Sequence, residues 1–261
     1  MTDLHPQADR EHTIRKADNA IIELRQYTLK PGRRDELITL FEEHFIEGQE
    51  ENGAHVLGQF RRHDKPDQFV WLRGFSDMKA RQQALQSFYY GPIWQEHREA
   101  ANDTILDSDN VLLLKPASSD GTFQLDLSNQ PAKDALETDG GIIIATLYTF
   151  ASPVKARFIE FFEQDMVPVL HAAGATIAGY FVTEASANTF PVLPVREGEH
   201  IFAWFTTFAN KGAYKNYLST LTSRQAWNES LLPILEEWLA QPAEILELSP
   251  TRRSLLRHRF A

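Results

Sequence analysis

Three short stretches carry side chains that could do chemistry together. Glu23, Arg25 and Tyr27 alternate along IIELRQYTL, His55 and Gln59 sit in HVLGQF, and Trp71 and Arg73 alternate along FVWLRGF. In an extended chain, residues two apart share a face. If the strands are regular and adjacent, all seven project from one side of a sheet. Aromatic walls with a few polar groups are the usual character of a small-molecule pocket. Guanidiniums pair with carboxylate or enolate oxygens, and rings stack on flat ligands. The expected ligand is therefore small, flat, and aromatic or anionic. The plainer alternative is a Glu23–Arg25 ion pair that fixes how the sheets register.

Other chemistries find little support. The chain has no cysteine, which removes thiolate nucleophiles, disulfides and sulfur-ligated metals. His44, His55 and His97 match no metal spacing, and no Ser-His-Asp order, phosphate-cradling glycine loop or dinucleotide fingerprint is present. No cofactor and no metal is expected. A formal net charge of −10 over 261 residues argues against a nucleic-acid partner, which needs clustered Lys and Arg. No apolar run reaches the roughly 20 residues of a membrane span, so a cytoplasmic protein is expected.

The elements that must position these residues follow from periodicity. Ile21–Leu29 reads as a strand ended by Pro31-Gly32. Leu37, Ile38, Phe41 and Phe45 then mark an amphipathic helix that stops at Asn52-Gly53. Strands over 54–61 and 69–75 flank a polar turn as a hairpin. A second helical region, capped by Ser76 and broken at Gly91-Pro92, precedes a last strand at 111–114. The order β-α-β-β-α-β is the split ferredoxin-like arrangement. Residues 1–19 read as a polar arm, 20–116 as a first domain, 117–140 as a linker, 141–250 as a second domain and 251–261 as a basic tail.

The second domain repeats the first. At an offset of 121, nine of the 34 positions from 27 to 60 are identical to their counterparts, where chance gives roughly two. Beyond the hairpin the offset becomes 133, pairing Trp204 with Trp71 and Trp227 with Trp94. The 12 extra residues fall at the hairpin tip, where insertion is tolerated. Tandem duplication is the natural reading. Ile144 and Thr146 stand where the first copy has Glu23 and Arg25, so any site is biased to the first domain. Each sheet would leave one face free of helices, and the aromatic rows containing Tyr27 and Trp71, or Tyr148 and Trp204, are assigned to that face. The two sheets are expected to pack face to face as a barrel within one chain, with a homodimer as a further option.

The ordered set Glu23, Leu24, Arg25, Tyr27, Leu29 to Gly32, Gly53-Ala54, Val70-Trp71-Leu72, Phe75 and Trp94 resembles the NIPSNAP family, within the dimeric α+β barrel superfamily. The resemblance covers residues 21–116 well and 142–250 more weakly. It implies an α+β fold of two tandem ferredoxin-like domains closing as a barrel, and it implies no agreed catalytic chemistry. Two functions are weighed on that basis. One is a small-molecule-binding or interaction protein with its pocket in the first domain. The other, drawn from the wider superfamily, is a cofactor-independent or haem-using monooxygenase-like oxidoreductase acting in the barrel interior.

Overall fold

The computed structural model describes residues 19–258. The N-terminal arm, apart from Asn19, and the last three residues of the basic tail lie outside that range. The first half runs β1 (Ile21–Leu29), α1 (Arg34–Leu40), α2 (Ile46–Glu50), β2 (His55–Arg62), β3 (Gln68–Phe75), α3 (Met78–Tyr89), α4 (Pro92–Thr104), β4 (Ile105–Asp107) and β5 (Val111–Pro116). The second half runs β6 (Ile142–Phe150), α5 (Ala156–Phe161), α6 (Val167–Ala172), β7 (Thr176–Thr183), β8 (His200–Phe208), α7 (Lys211–Thr222), α8 (Leu232–Trp238) and β9 (Glu244–Pro250). Apart from the short β4, the order is the same in both. One π-helical turn joins α1 to α2 at Phe41–Phe45, and another joins α5 to α6 at Phe162–Met166.

Local chemistry sets the ends of these elements. Asp77, one residue beyond the expected Ser76, caps α3 by accepting from the Ala80 N–H at 2.7 Å, and Asn210 caps α7 by accepting from that of Ala213 at 3.0 Å. Gly53 and Gly174 follow α2 and α6 with φ of +88° and +107°, a left-handed conformation that stops a helix and suits only glycine without strain.

Eight antiparallel strands close into one barrel. Around its wall the order is β1-β3-β2-β9-β6-β8-β7-β5, and β5 returns to β1, with β4 attached at the side of β1. The halves are stitched at two seams, β2 to β9 and β5 to β7. Closure within a single chain leaves no long unpaired edge on either half. The barrel is filled by apolar side chains of both halves, such as Leu24, Leu72 and Leu112 against Ala145, Leu147 and Phe205. Helices cover the outside.

One expectation is corrected here. The aromatic rows do not face each other across the barrel. Tyr27 and Trp71 pack with Phe41 and Phe88 beneath the helices of the first half, and Tyr148 and Trp204 pack with Phe162 and Tyr217 beneath those of the second. Buried apolar residues stand on both faces of β1, β3, β6 and β8, so alternation alone does not say which face is inside. The interior takes mostly aliphatic side chains together with Phe60, Phe123, Phe181 and Phe205, while the tyrosines and tryptophans of the rows pack beneath the helices.

The segments read as linker and tail pack onto the body. Phe123, Leu125, Leu255 and Leu256 join the barrel core. Arg253 is 2% exposed and donates to the Glu47 carboxylate at 3.2 Å and the Pro131 carbonyl at 3.0 Å, while its backbone N–H donates to Glu42 at 3.1 Å. Arg253→Ala strands the Glu47 and Pro131 acceptors while keeping the backbone bond to Glu42, and we expect a loss of about 2–3 kcal/mol in urea unfolding. A loss below about 0.5 kcal/mol, the ordinary surface range, would show that the tail is not bound in this way.

Candidate functional site

Strands β1 and β3 place the charged row. Their register sets Glu23 opposite Arg73 and Arg25 opposite Trp71, so two acid–base neighbours and their aromatic companions share the helix-facing side. Glu23, Arg25, Arg73 and Arg81 are all 0% exposed. Arg25 Nη1 donates to Glu23 Oε2 at 2.7 Å, Arg73 Nε to the same oxygen at 2.7 Å, and Arg81 Nε to Oε1 at 2.6 Å. One carboxylate thus serves three guanidiniums. Burial works against ionising Glu23, but the guanidiniums of Arg73, Arg25 and Arg81 outweigh it and hold the carboxyl well below its usual range.

A second layer orients these cations. Arg25 Nε donates to the Tyr27 hydroxyl at 3.1 Å, and Arg73 Nη1 to Gln49 Oε1 at 2.8 Å. The Trp71 ring lies 5.5 Å from the Arg25 guanidinium carbon and 5.0 Å from that of Arg73, within cation–π range. Arg81 is tied to the long hairpin of the second half, donating to Asn188 Oδ1 at 3.0 Å and Thr189 Oγ1 at 3.1 Å. Nη2 of Arg25 and of Arg81 has no hydrogen-bond partner among the described residues. Burial pushes the Tyr27 phenol up, so it stays protonated.

Six of the seven residues expected on one face share it: Glu23, Arg25, Tyr27, Trp71, Arg73 and Gln59, which the register sets opposite Trp71. Gln59 is fully buried, with neither end of its amide hydrogen-bonded among the described residues. His55 leaves the row. A bulge between Val56 and Gly58 shifts the parity of β2, so Val56 takes the helix-facing side and His55 bonds Asn19 through Nδ1 at 2.8 Å. A Cβ on Gly58 would come within 2.4 Å of the Phe60 ring, which explains glycine at the bulge. The placement also moves the whole row from the barrel interior to the seam beneath the helices.

Two participants escaped the sequence reading, Arg81 and Gln49. Each stands on the apolar stripe of its helix, Arg81 in step with Ala84, Leu85 and Phe88, and Gln49 in step with Phe45 and Ile46. A lone polar residue on such a stripe is the signal that could have found them.

The seam encloses unequal space in the two halves. In the first, Tyr27, Gln49, Trp71 and Tyr89 are among the walls of a cavity of about 80 Å³. In the second, the counterpart positions Ile144, Thr146, Tyr148, Trp204 and Thr206 floor a cavity of about 550 Å³. Long arginines fill the first seam, and threonines at their counterparts leave the second open.

Comparison with known proteins finds a likeness in the first half. Residues 22–119 match the NIPSNAP family model. Over those residues the first half is similar to NIPSNAP domains. No curated protein matches the chain. A NIPSNAP family protein of unknown function from Agrobacterium tumefaciens is 23% identical, with 41% of this chain and 94% of that one covered and a TM-score of 0.36. Other structures span almost the whole chain. One is a candidate monooxygenase from Lactobacillus acidophilus, 11% identical, covering 92% of this chain and 100% of its own, at a TM-score of 0.50. Another is an anthrone oxidase-like protein, 10% identical, covering 92% and 96%, at 0.52. At such identities the likeness is one of fold alone. Among the described residues, no helix is long and apolar enough to cross a membrane.

Proposed function

We propose that this protein binds small molecules, and that its first-half seam receives a small, flat carboxylate or enolate. One observation carries the reading. Three guanidiniums and one carboxylate, all fully buried, sum to a formal charge of +2, and two of their nitrogens have donors without partners among the described residues. Buried charge and unpaired donors are costly unless compensated, and an anionic oxygen satisfies both. Tyr27 and Gln49 connect the cluster to the adjoining cavity, and Trp71 and Tyr89 give it ring walls. The cavity of about 80 Å³ has room for a carboxylate head group, which reaches the guanidiniums past Tyr27 and Gln49. A ring behind the head group requires Tyr89 or Trp94 to shift, and both are only partly buried.

Calorimetric titration with acetate, benzoate and the neutral isostere benzamide tests this. Both carboxylates are expected to bind, benzamide is not, and Arg25→Met is expected to weaken benzoate at least ten-fold. Equal binding of benzamide, or an unchanged affinity in Arg25→Met, would overturn it.

A further inference from the structure

We propose that the second-half cavity is a binding site in its own right, for an uncharged ring compound carrying a carbonyl or hydroxyl oxygen. The volume, about 550 Å³, falls within the roughly 300–1,000 Å³ of small-molecule pockets. It is a hollow between sheet and helices rather than a flat face. Strands β6 and β8 form the floor, and α7, α8 and the turn before β9 form the walls.

The lining selects the ligand's chemistry. Tyr148, Trp204, Tyr217 and Trp227 provide ring surfaces for stacking. Glu236 is the one carboxylate among the lining residues and no Lys, Arg or His is among them, so an anion finds no cation to pair with. Burial pushes the Tyr148 and Tyr217 phenols up, which keeps both neutral. Thr146 and Thr206 bring hydroxyls to the floor from neighbouring strands, and each can donate to or accept from one ligand oxygen. These threonines occupy the counterpart positions of Arg25 and Arg73. The same place in the fold therefore carries opposite selectivity in the two halves.

The mouth is marked by apolar side chains that a soluble protein ordinarily hides. Leu218 and Ile245 line the cavity and are 38% and 46% exposed. Their exposure beside a deep ring-lined hollow fits a ligand entrance. This site stands apart from the anion site, because no residue lining one cavity lines the other.

Nile red, a neutral ring ketone, serves as the fluorescent probe. It is expected to brighten on the intact chain, and 2-acetylnaphthalene is expected to displace it at least ten-fold more effectively than 2-naphthoate, its anionic near-isostere. Leu218→Trp and Ile245→Trp fill the mouth from half-exposed positions that tolerate a larger ring, and each is expected to lower Nile red affinity at least ten-fold with the thermal melt unchanged. Acetate at concentrations that fill the first-half seam is expected to leave Nile red binding as it was, which separates this site from the anion site. The proposal fails if Nile red does not bind, if both tryptophan variants bind it like the parent, or if naphthoate displaces it as well as the ketone.

Discussion

Glu23→Gln is expected to destabilise the protein by about 3–5 kcal/mol, the range for breaking a buried ion pair and leaving its partner charged. The side chain keeps its shape and loses only its charge, so three buried guanidiniums are left to repel one another around a neutral amide. Urea unfolding should show a lower midpoint with an unchanged slope. Adding Arg81→Gln to this variant removes one of the stranded cations. The double variant is expected to recover part of the loss, a non-additivity that neighbours in one network show. The pH dependence has a definite sign. Glu23 is held below its ordinary value of 4.5 in the folded state, so its stabilisation is complete above about pH 4.5 and declines as pH falls below that value. The parent should therefore lose stability more steeply with acid than Glu23→Gln does. Parallel acid curves, or a destabilisation under about 1 kcal/mol, would mean that Glu23 does not hold the cluster together.

Separating the halves is expected to have a larger effect still. Residues 19–116 expressed alone would expose the edge of β2 that pairs with β9 and the edge of β5 that pairs with β7. They would also uncover the inner face bearing Leu24, Leu72 and Leu112. Unpaired edges and an open apolar face drive self-association. Sedimentation should find this fragment as a dimer or larger species, and co-expression with residues 117–258 should restore a one-to-one complex with the parent's cooperative melt. A monomeric first half with a sharp melt of its own would contradict a barrel core shared between the halves.

The order of elements and the intrachain barrel were legible because hydrophobic periodicity and the internal offset of 121 pointed the same way. The orientation of the rows was not. Ile22 and Leu24 on one face and Tyr27 and Trp71 on the other are all apolar enough to be buried, and only the closed barrel shows which face is the interior. His55 was misplaced because a bulge at Gly58 breaks strand parity, an event visible in sequence only as a glycine within a strand. The asymmetry at Glu23 and Arg25 was readable from the offset. Its larger consequence lies in the other half, where Ile144, Thr146 and Thr206 leave space that arginines fill in the first. Cavity volume depends on how helices settle over a sheet, and no spacing of residues records that.

The central claim is that exchanging buried arginines for threonines at equivalent places gives the two seams of one barrel opposite preferences for charge. Bromine anomalous scattering from crystals soaked in 3-bromobenzoate tests it most directly. The account predicts a peak in the first-half seam, with the carboxylate directed at Arg25 and Arg81, and none in the second-half cavity. A peak in the second-half cavity, with none in the first-half seam, would contradict it.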